Sequence, residues 1–125
     1  MRKRKILIVD DEPGFTKIVK LTLEAENRYE VREENNPQVA VQTAREFRPD
    51  LVLLDIIMPQ LDGGDVLSQI RADPMLQNTP VVFLTAAVRK TEVWEHGGNI
   101  GGNFYVAKPV SVDELISCIE EHVKE

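Results

Sequence analysis

Asp10 and Asp11 close the run "KILIVDD", Asp55 closes "LVLLD", Thr85 closes "VVFLT", and Lys108-Pro109 follows "FYVA". A carboxylate at the end of an apolar run is costly unless it is paired or stands at a solvated rim. Three carboxylates brought to one rim raise one another's pKa unless a cation sits among them. Oxygen ligands with no Cys or His nearby suit a hard cation that keeps several waters, which points to Mg²⁺, with Mn²⁺ as the alternative. One carboxylate of such a set can act as a nucleophile and form an aspartyl-phosphate. Phosphoryl transfer then asks for positioning and charge neutralisation, from a metal, from Lys108 as a point charge and from Thr85 as a hydrogen-bond donor. Taken singly, each acidic residue is better explained as a helix cap or a solvated strand end. Five suitable residues at the ends of four strands reverse that preference.

The elements that must bring these residues together alternate along the chain. Residues 5–10, 29–33, 51–55, 81–85 and 104–107 read as strands, and the first, third and fourth are continuous β-branched and leucine runs, the pattern of strands covered on both faces. Between them lie helical stretches. The first opens at Pro13 and turns Phe15, Ile18, Val19 and Thr22 to one face. The second has Asn36 as cap and Pro37 at its first position, with Val41, Ala44 and Phe47 inward. The third starts at Asp62, carries Val66, Leu67 and Ile70, and ends before Pro74. The last opens with Ser111 and Glu114 at capping-box spacing and packs Leu115, Ile116, Ile119 and Val123. A fourth, glycine-rich helix is expected to end near Gly97, before a mobile loop, because each interior glycine costs a helix about 1 kcal/mol. Strand and helix in alternation mean right-handed βαβ crossovers onto a parallel sheet. The expected class is α/β: a flavodoxin-like (βα)5 doubly wound parallel five-stranded sheet of order 2-1-3-4-5. Ligands bind such sheets beyond the carboxyl ends of the strands, here between strands one and three.

Composition narrows the classes. The 125 residues suit one domain, 1–125, with a short basic lead-in over 1–4. Apolar residues at 42% place the chain outside disorder, and a net charge of -6 argues against direct nucleic-acid binding. No stretch approaches the roughly 20 apolar residues of a membrane span, so no membrane insertion is expected. The single Cys118 cannot form an internal disulfide, which fits a reducing cytoplasm.

With these residues in place, the chain resembles a response-regulator receiver domain over essentially its full length, through "VDDE" (9–12), "LLDIIMPQLDG" (53–63), "FLTA" (83–86) and "YVAKP" (105–109). The resemblance implies that Asp55 is the phosphoacceptor, taking its group from a phosphohistidine on a sensor histidine kinase or a histidine phosphotransfer protein. It implies that Asp10, Asp11, Asp55 and the backbone carbonyl of Ile57 hold Mg²⁺, and that Thr85 and Lys108 bind the phosphoryl oxygens. By the same likeness the Lys108–Pro109 peptide is cis, and Tyr105 swings inward when Thr85 shifts toward the phosphate. The domain would be a two-state switch that promotes its own phosphorylation and dephosphorylation, as a monomer or a phosphorylation-promoted dimer, with a downstream effector that the sequence does not reveal.

The chain departs from that family in the glycine-rich segment 90–103, where partners usually dock. Ile57 and Ala87 match positions that tune dephosphorylation, and neither offers a polar group to orient water, so a persistent phosphoryl group is expected. A phosphorylation-independent interaction module on the same fold is the alternative. A haloacid-dehalogenase-type hydrolase would need an aspartate where Ile57 stands. His96 and His122 lack metal-ligand spacing and read as solvated helix residues. Cys118 reads as a packing residue, and Trp94 as core in preference to an exposed anchor. Gly63-Gly64 has no dinucleotide-binding context and reads as a tight loop before the third helix.

Overall fold

The computed structural model describes residues 2–85, 99–100, 103–107 and 111–123. The helix expected before Gly97, with Ala87, Trp94 and His96, and the Lys108–Pro109 peptide lie outside the described residues. The apolar runs form β1 (Arg4–Val9), β2 (Tyr29–Glu34), β3 (Leu51–Asp55), β4 (Val81–Thr85) and, after a two-residue β5 (Asn99–Ile100), β6 (Asn103–Ala107). The sheet order is β2-β1-β3-β4-β6-β5. Its five long strands are parallel and follow the expected order, with β6 as the fifth. The short β5, in a stretch the sequence reads as loop, adds one antiparallel strand beside β6 through the pairs Asn99–Phe104 and Ile100–Asn103. The sequence between these two strands is Gly-Gly, a composition that short hairpin connections favour.

Alternate residues of each strand point to opposite faces, and both faces are covered. Ile6, Ile8, Leu53 and Leu84 pack under α1 (Pro13–Glu24) and α4 (Val112–His122) through Val19, Leu23, Leu115 and Ile119. Leu7, Val9, Val52 and Leu54 pack under α2 (Ala40–Phe47) and α3 (Gly63–Ala72) through Ala44, Phe47, Val66 and Ile70. The central strands β1 and β3 are therefore buried on both sides, as continuous apolar runs require.

Helix starts follow local chemistry. Asp62 and Asp65 form a reciprocal capping box at α3, and the Ser111 hydroxyl accepts the Glu114 N–H at 3.1 Å at α4. Asn36 caps a 3-10 turn, Pro37–Val39, so α2 itself begins only at Ala40. The inward face of α1 differs from the sequence expectation. Thr16, Val19 and Leu23 are buried, whereas Ile18 is 64% exposed. Apolar residues at 15, 18, 19, 21 and 23 are too many for one stripe, and Thr16 takes an inward place because its hydroxyl is hydrogen-bonded there. His122 is half-buried and donates Nδ1–H to the Cys118 carbonyl at 2.8 Å, in place of the solvated residue expected. Cys118 packs against the core as expected, and burial, reinforced by Glu121, pushes its thiol up to about 12.

Strand β2 lies at one edge of the sheet. The Val31 N–H donates to Glu24 at 3.0 Å and Lys20 Nζ donates to the Val31 carbonyl at 2.7 Å, so two α1 side chains occupy polar groups that an edge strand would otherwise expose. Burial alone would push the Glu24 carboxyl up, but the Val31 N–H and Lys20 hold it below its ordinary value. At the start of β2, buried Tyr29 donates its phenol to Glu120 of α4 at 2.7 Å.

Candidate functional site

Strand register assembles the acidic rim. Val9 pairs with Leu54, so the residue after β1, Asp10, comes level with Asp55 at the end of β3. Carboxylate oxygens of Asp10, Asp11 and Asp55 all lie within 4.8 Å of one another. Asp10 is fully buried, Asp55 is 6% exposed and Asp11 is half-buried. Unit charges at that spacing repel by about 3 kcal/mol at an effective dielectric near 20. A divalent cation converts that repulsion into attraction, and three hard oxygen donors beside an open rim suit one that keeps some of its waters. The residues present therefore fit Mg²⁺.

Thr85 closes β4 one residue beyond Leu84, the partner of Asp55, and pairs with Ala107 of β6. The backbone thus carries Thr85 to the same rim. Tyr105 lies on β6, opposite Phe83. Lys108 follows Ala107 in sequence and lies outside the described residues. Ile57 stands in the loop after β3 with a side chain 65% exposed, so it offers little beyond its main chain to a neighbouring site.

That loop is held close to the strand end. The Gly63 N–H donates to the Ile56 carbonyl at 2.8 Å. A Cβ at Gly63 would lie 2.5 Å from the Asp55 carbonyl oxygen and 2.8 Å from Ile56 Cα, both backbone atoms that cannot swing aside. Gly63 is thus required by close approach to Asp55, a stronger reason than the tight loop expected. Gln60 adopts a left-handed φ of 72° inside the same loop.

A second support lies beneath Asp10. Asp10 Oδ1 accepts the Glu12 N–H at 3.0 Å, closing the turn that presents Asp11. The Asp10 N–H donates to the Glu34 carbonyl at 3.1 Å, the last backbone bond between β1 and β2. Beyond it, Asn35 Nδ2 donates to the Asp10 carbonyl at 2.8 Å and to Thr16 Oγ1 at 3.0 Å. The Thr16 hydroxyl donates in turn to Glu33 at 2.7 Å. Asn35, Thr16 and Glu33 carry no motif that marks them in the sequence, where the adjacent Asn36 and Pro37 read as a helix cap and first helical position. Among the described residues no buried side-chain polar atom lacks a partner.

With this geometry in hand, the chain can be set beside known proteins. A family model of the response regulator receiver domain matches residues 6–120. The nisin biosynthesis regulatory protein NisR of Lactococcus lactis subsp. lactis is 34% identical over 120 residues, which cover 96% of this chain and 50% of that protein. The DNA-binding response regulator MtrA of Mycolicibacterium smegmatis is 33% identical over 122 residues, covering 98% of this chain and 51% of that protein. The chain spans about half the length of these two relatives. The solved receiver domain of Francisella response regulator 1452 matches with a TM-score of 0.77 at 28% identity, covering 97% of each chain. Receiver domains generally bind Mg²⁺ at an acidic cluster of this kind. A phosphoryl-accepting role fits the acidic rim, and nothing in it favours the phosphorylation-independent alternative. Strand order, acidic rim and a family match spanning nearly the whole sequence converge, and the chain belongs to the response regulator receiver domains of two-component signalling.

Proposed function

We propose that Asp55 is the phosphoacceptor of this receiver domain and that Asp10, Asp11, Asp55 and the Ile57 carbonyl hold the Mg²⁺ that supports the transfer. The observation that carries this reading is the convergence of three carboxylates within 4.8 Å at the ends of β1 and β3. Buried apolar neighbours on β3 hold the Asp55 backbone in place, so its carboxylate is presented without reorganisation. An Asp55 oxygen attacks the phosphorus of a phosphohistidine. The P–N bond breaks as the O–P bond forms, and the departing imidazole regains a proton from solvent. Mg²⁺, when bound, neutralises charge on the phosphoryl oxygens. Thr85 donates a hydrogen bond to those oxygens and Lys108 supplies a positive charge. Tyr105 then follows Thr85 in the switch, and the altered surface is read by a downstream partner.

The donor partner is a sensor histidine kinase or a histidine phosphotransfer protein, and residues 1–125 act as one receiver unit in the cytoplasm. In the described residues no helix is long and apolar enough to cross a membrane. The test is direct. Incubation with Mg²⁺ and acetyl phosphate should add one phosphoryl group to the intact mass, and Asp55→Asn should abolish the addition. No mass gain with Mg²⁺ or Mn²⁺ would overturn the reading.

A further inference from the structure

The metal-binding turn owes its shape to residues outside the acidic set. Backbone pairing between β1 and β2 ends at the Asp10 N–H, bound to the Glu34 carbonyl at 3.1 Å. The chain then turns away toward Pro37, and the Asn36 N–H goes to the Glu34 carboxylate at 3.0 Å. It is therefore not offered to β1. The Asp10 carbonyl, one bond before Asp11, instead accepts the Asn35 side-chain amide at 2.8 Å. That amide takes the place of the next ladder bond and holds the peptide between Asp10 and Asp11 in one orientation.

The Asn35 amide is itself oriented. Its second N–H meets Thr16 Oγ1 at 3.0 Å, and Thr16 is fully buried in the first turn of α1. The Thr16 hydroxyl has one proton, and Glu33 Oε1 at 2.7 Å takes it over the Pro13 carbonyl at 3.2 Å. Reversing the Asn35 amide would set its oxygen against the Asp10 carbonyl oxygen, so only one orientation satisfies every group. The chain Glu33–Thr16–Asn35–Asp10 thus ties three elements, β2, α1 and the end of β1, to one peptide plane.

We propose that Asn35 and Thr16 are positioning residues for the cation site: they fix the Asp10–Asp11 peptide so that both carboxylates face Asp55 before the metal arrives. The proposal rests on the functional reading above and adds to it a preorganising role for two uncharged residues. Outer-shell partners that orient metal ligands change metal affinity about 10- to 100-fold when removed. Asn35→Ala should accordingly weaken Mg²⁺ binding about 10-fold. Thr16→Val, nearly isosteric but without the hydroxyl, should weaken it several-fold, whereas Thr16→Ser should restore affinity to within about twofold of the unmodified protein.

Titration calorimetry with Mg²⁺ alone reads these affinities, and urea unfolding in EDTA on the same proteins reports whether each variant is folded. Weakened binding by folded Asn35→Ala, with recovery in Thr16→Ser, supports the proposal. Unchanged Mg²⁺ affinity in Asn35→Ala overturns it, as does a loss in Thr16→Ser equal to that in Thr16→Val. If the unmodified protein binds no Mg²⁺, the functional reading itself falls and the positioning role falls with it, a result distinct from selective failure of the variants.

Discussion

Gly63 sits so close to Asp55 that a Cβ on it would come within 2.5 Å of the Asp55 carbonyl oxygen. The N-terminus of α3 is thereby pressed against the end of β3, and the loop between them has no freedom to drift from the proposed phosphoacceptor. Gly63→Ala must displace either that loop or the strand end. Overpacking of this kind costs about 1–3 kcal/mol. Urea unfolding should show a loss in that range, and the rate of acetyl phosphate labelling should fall by more than the lost folded fraction accounts for. An alanine variant as stable as the parent would mean that the loop can relax.

The acidic rim predicts opposite effects of one substitution with and without metal. In EDTA, Asp11→Asn removes repulsion from two neighbours, and stability should rise by about 1 to 3 kcal/mol for each of the two pairs, the span of the Coulomb energy as the effective dielectric falls from bulk-water to protein-surface values. With Mg²⁺ at 100 times its dissociation constant, the unmodified protein gains about 2.7 kcal/mol, and the variant should gain much less. Thermal unfolding in the two buffers checks both halves. An equal Mg²⁺ response in the two proteins would remove Asp11 from the ligand set.

Ile57 projects its side chain into solvent two residues beyond Asp55 and carries nothing that can orient an attacking water. The phosphorylated protein should therefore persist for minutes or longer, and Ile57→Asn should shorten its half-life several-fold by supplying a hydrogen-bonding group. Following the decay of the added mass after the phosphodonor is removed measures both. A half-life of seconds in the unmodified protein would contradict the expectation.

Asp50 is the acid-labile clasp at the opposite end of the sheet. It accepts two hydrogen bonds from Arg2, at 2.7 and 2.9 Å, and one from the Lys5 N–H at 2.8 Å. Burial opposes ionisation, but the Arg2 and Lys5 bonds outweigh it and hold the carboxyl below its ordinary value. A carboxyl lowered on folding contributes stability that is fully present above its unfolded pKa, about 3.9, and is lost as pH falls through the folded value. Asp50→Asn should lose stability at pH 7 and show a shallower decline below about pH 4. Asp50→Ala should cost about 1 to 3 kcal/mol at neutral pH, because the Lys5 N–H loses a charged acceptor. Urea midpoints across the acid range test this, and parallel pH profiles for Asp50→Asn and the parent would refute it.

Much of this protein was legible in the residue order alone. Continuous apolar runs at 6–9, 51–54 and 81–84 can only be satisfied by burial on both sheet faces, and alternation with helices leaves parallel crossovers as the connection. Caps at Asp62 and Ser111 are local chemistry, readable from residue type at a helix start and, for Ser111, from its spacing to Glu114, and both formed as expected. Strand ends bearing Asp10, Asp11 and Asp55 follow from the same runs, which is why the acidic rim could be named in advance.

Other features waited for the fold, because they depend on distances between segments that the sequence does not encode locally. The inward stripe of α1 leaves Ile18 in solvent: apolar character is available on several sides of that helix, and a hydrogen-bonded hydroxyl at Thr16 competes for the inside. Nothing in the order of residues says that Gly63 will meet the backbone of Asp55, or that an asparagine after β2 will complete a sheet bond for Asp10. The chain by itself determined which groups reach the rim, since hydrophobic periodicity is a local property. Tertiary structure alone decided how those groups are held, since their supports come from β2, α1 and α3, elements brought together only when both faces of the sheet are covered.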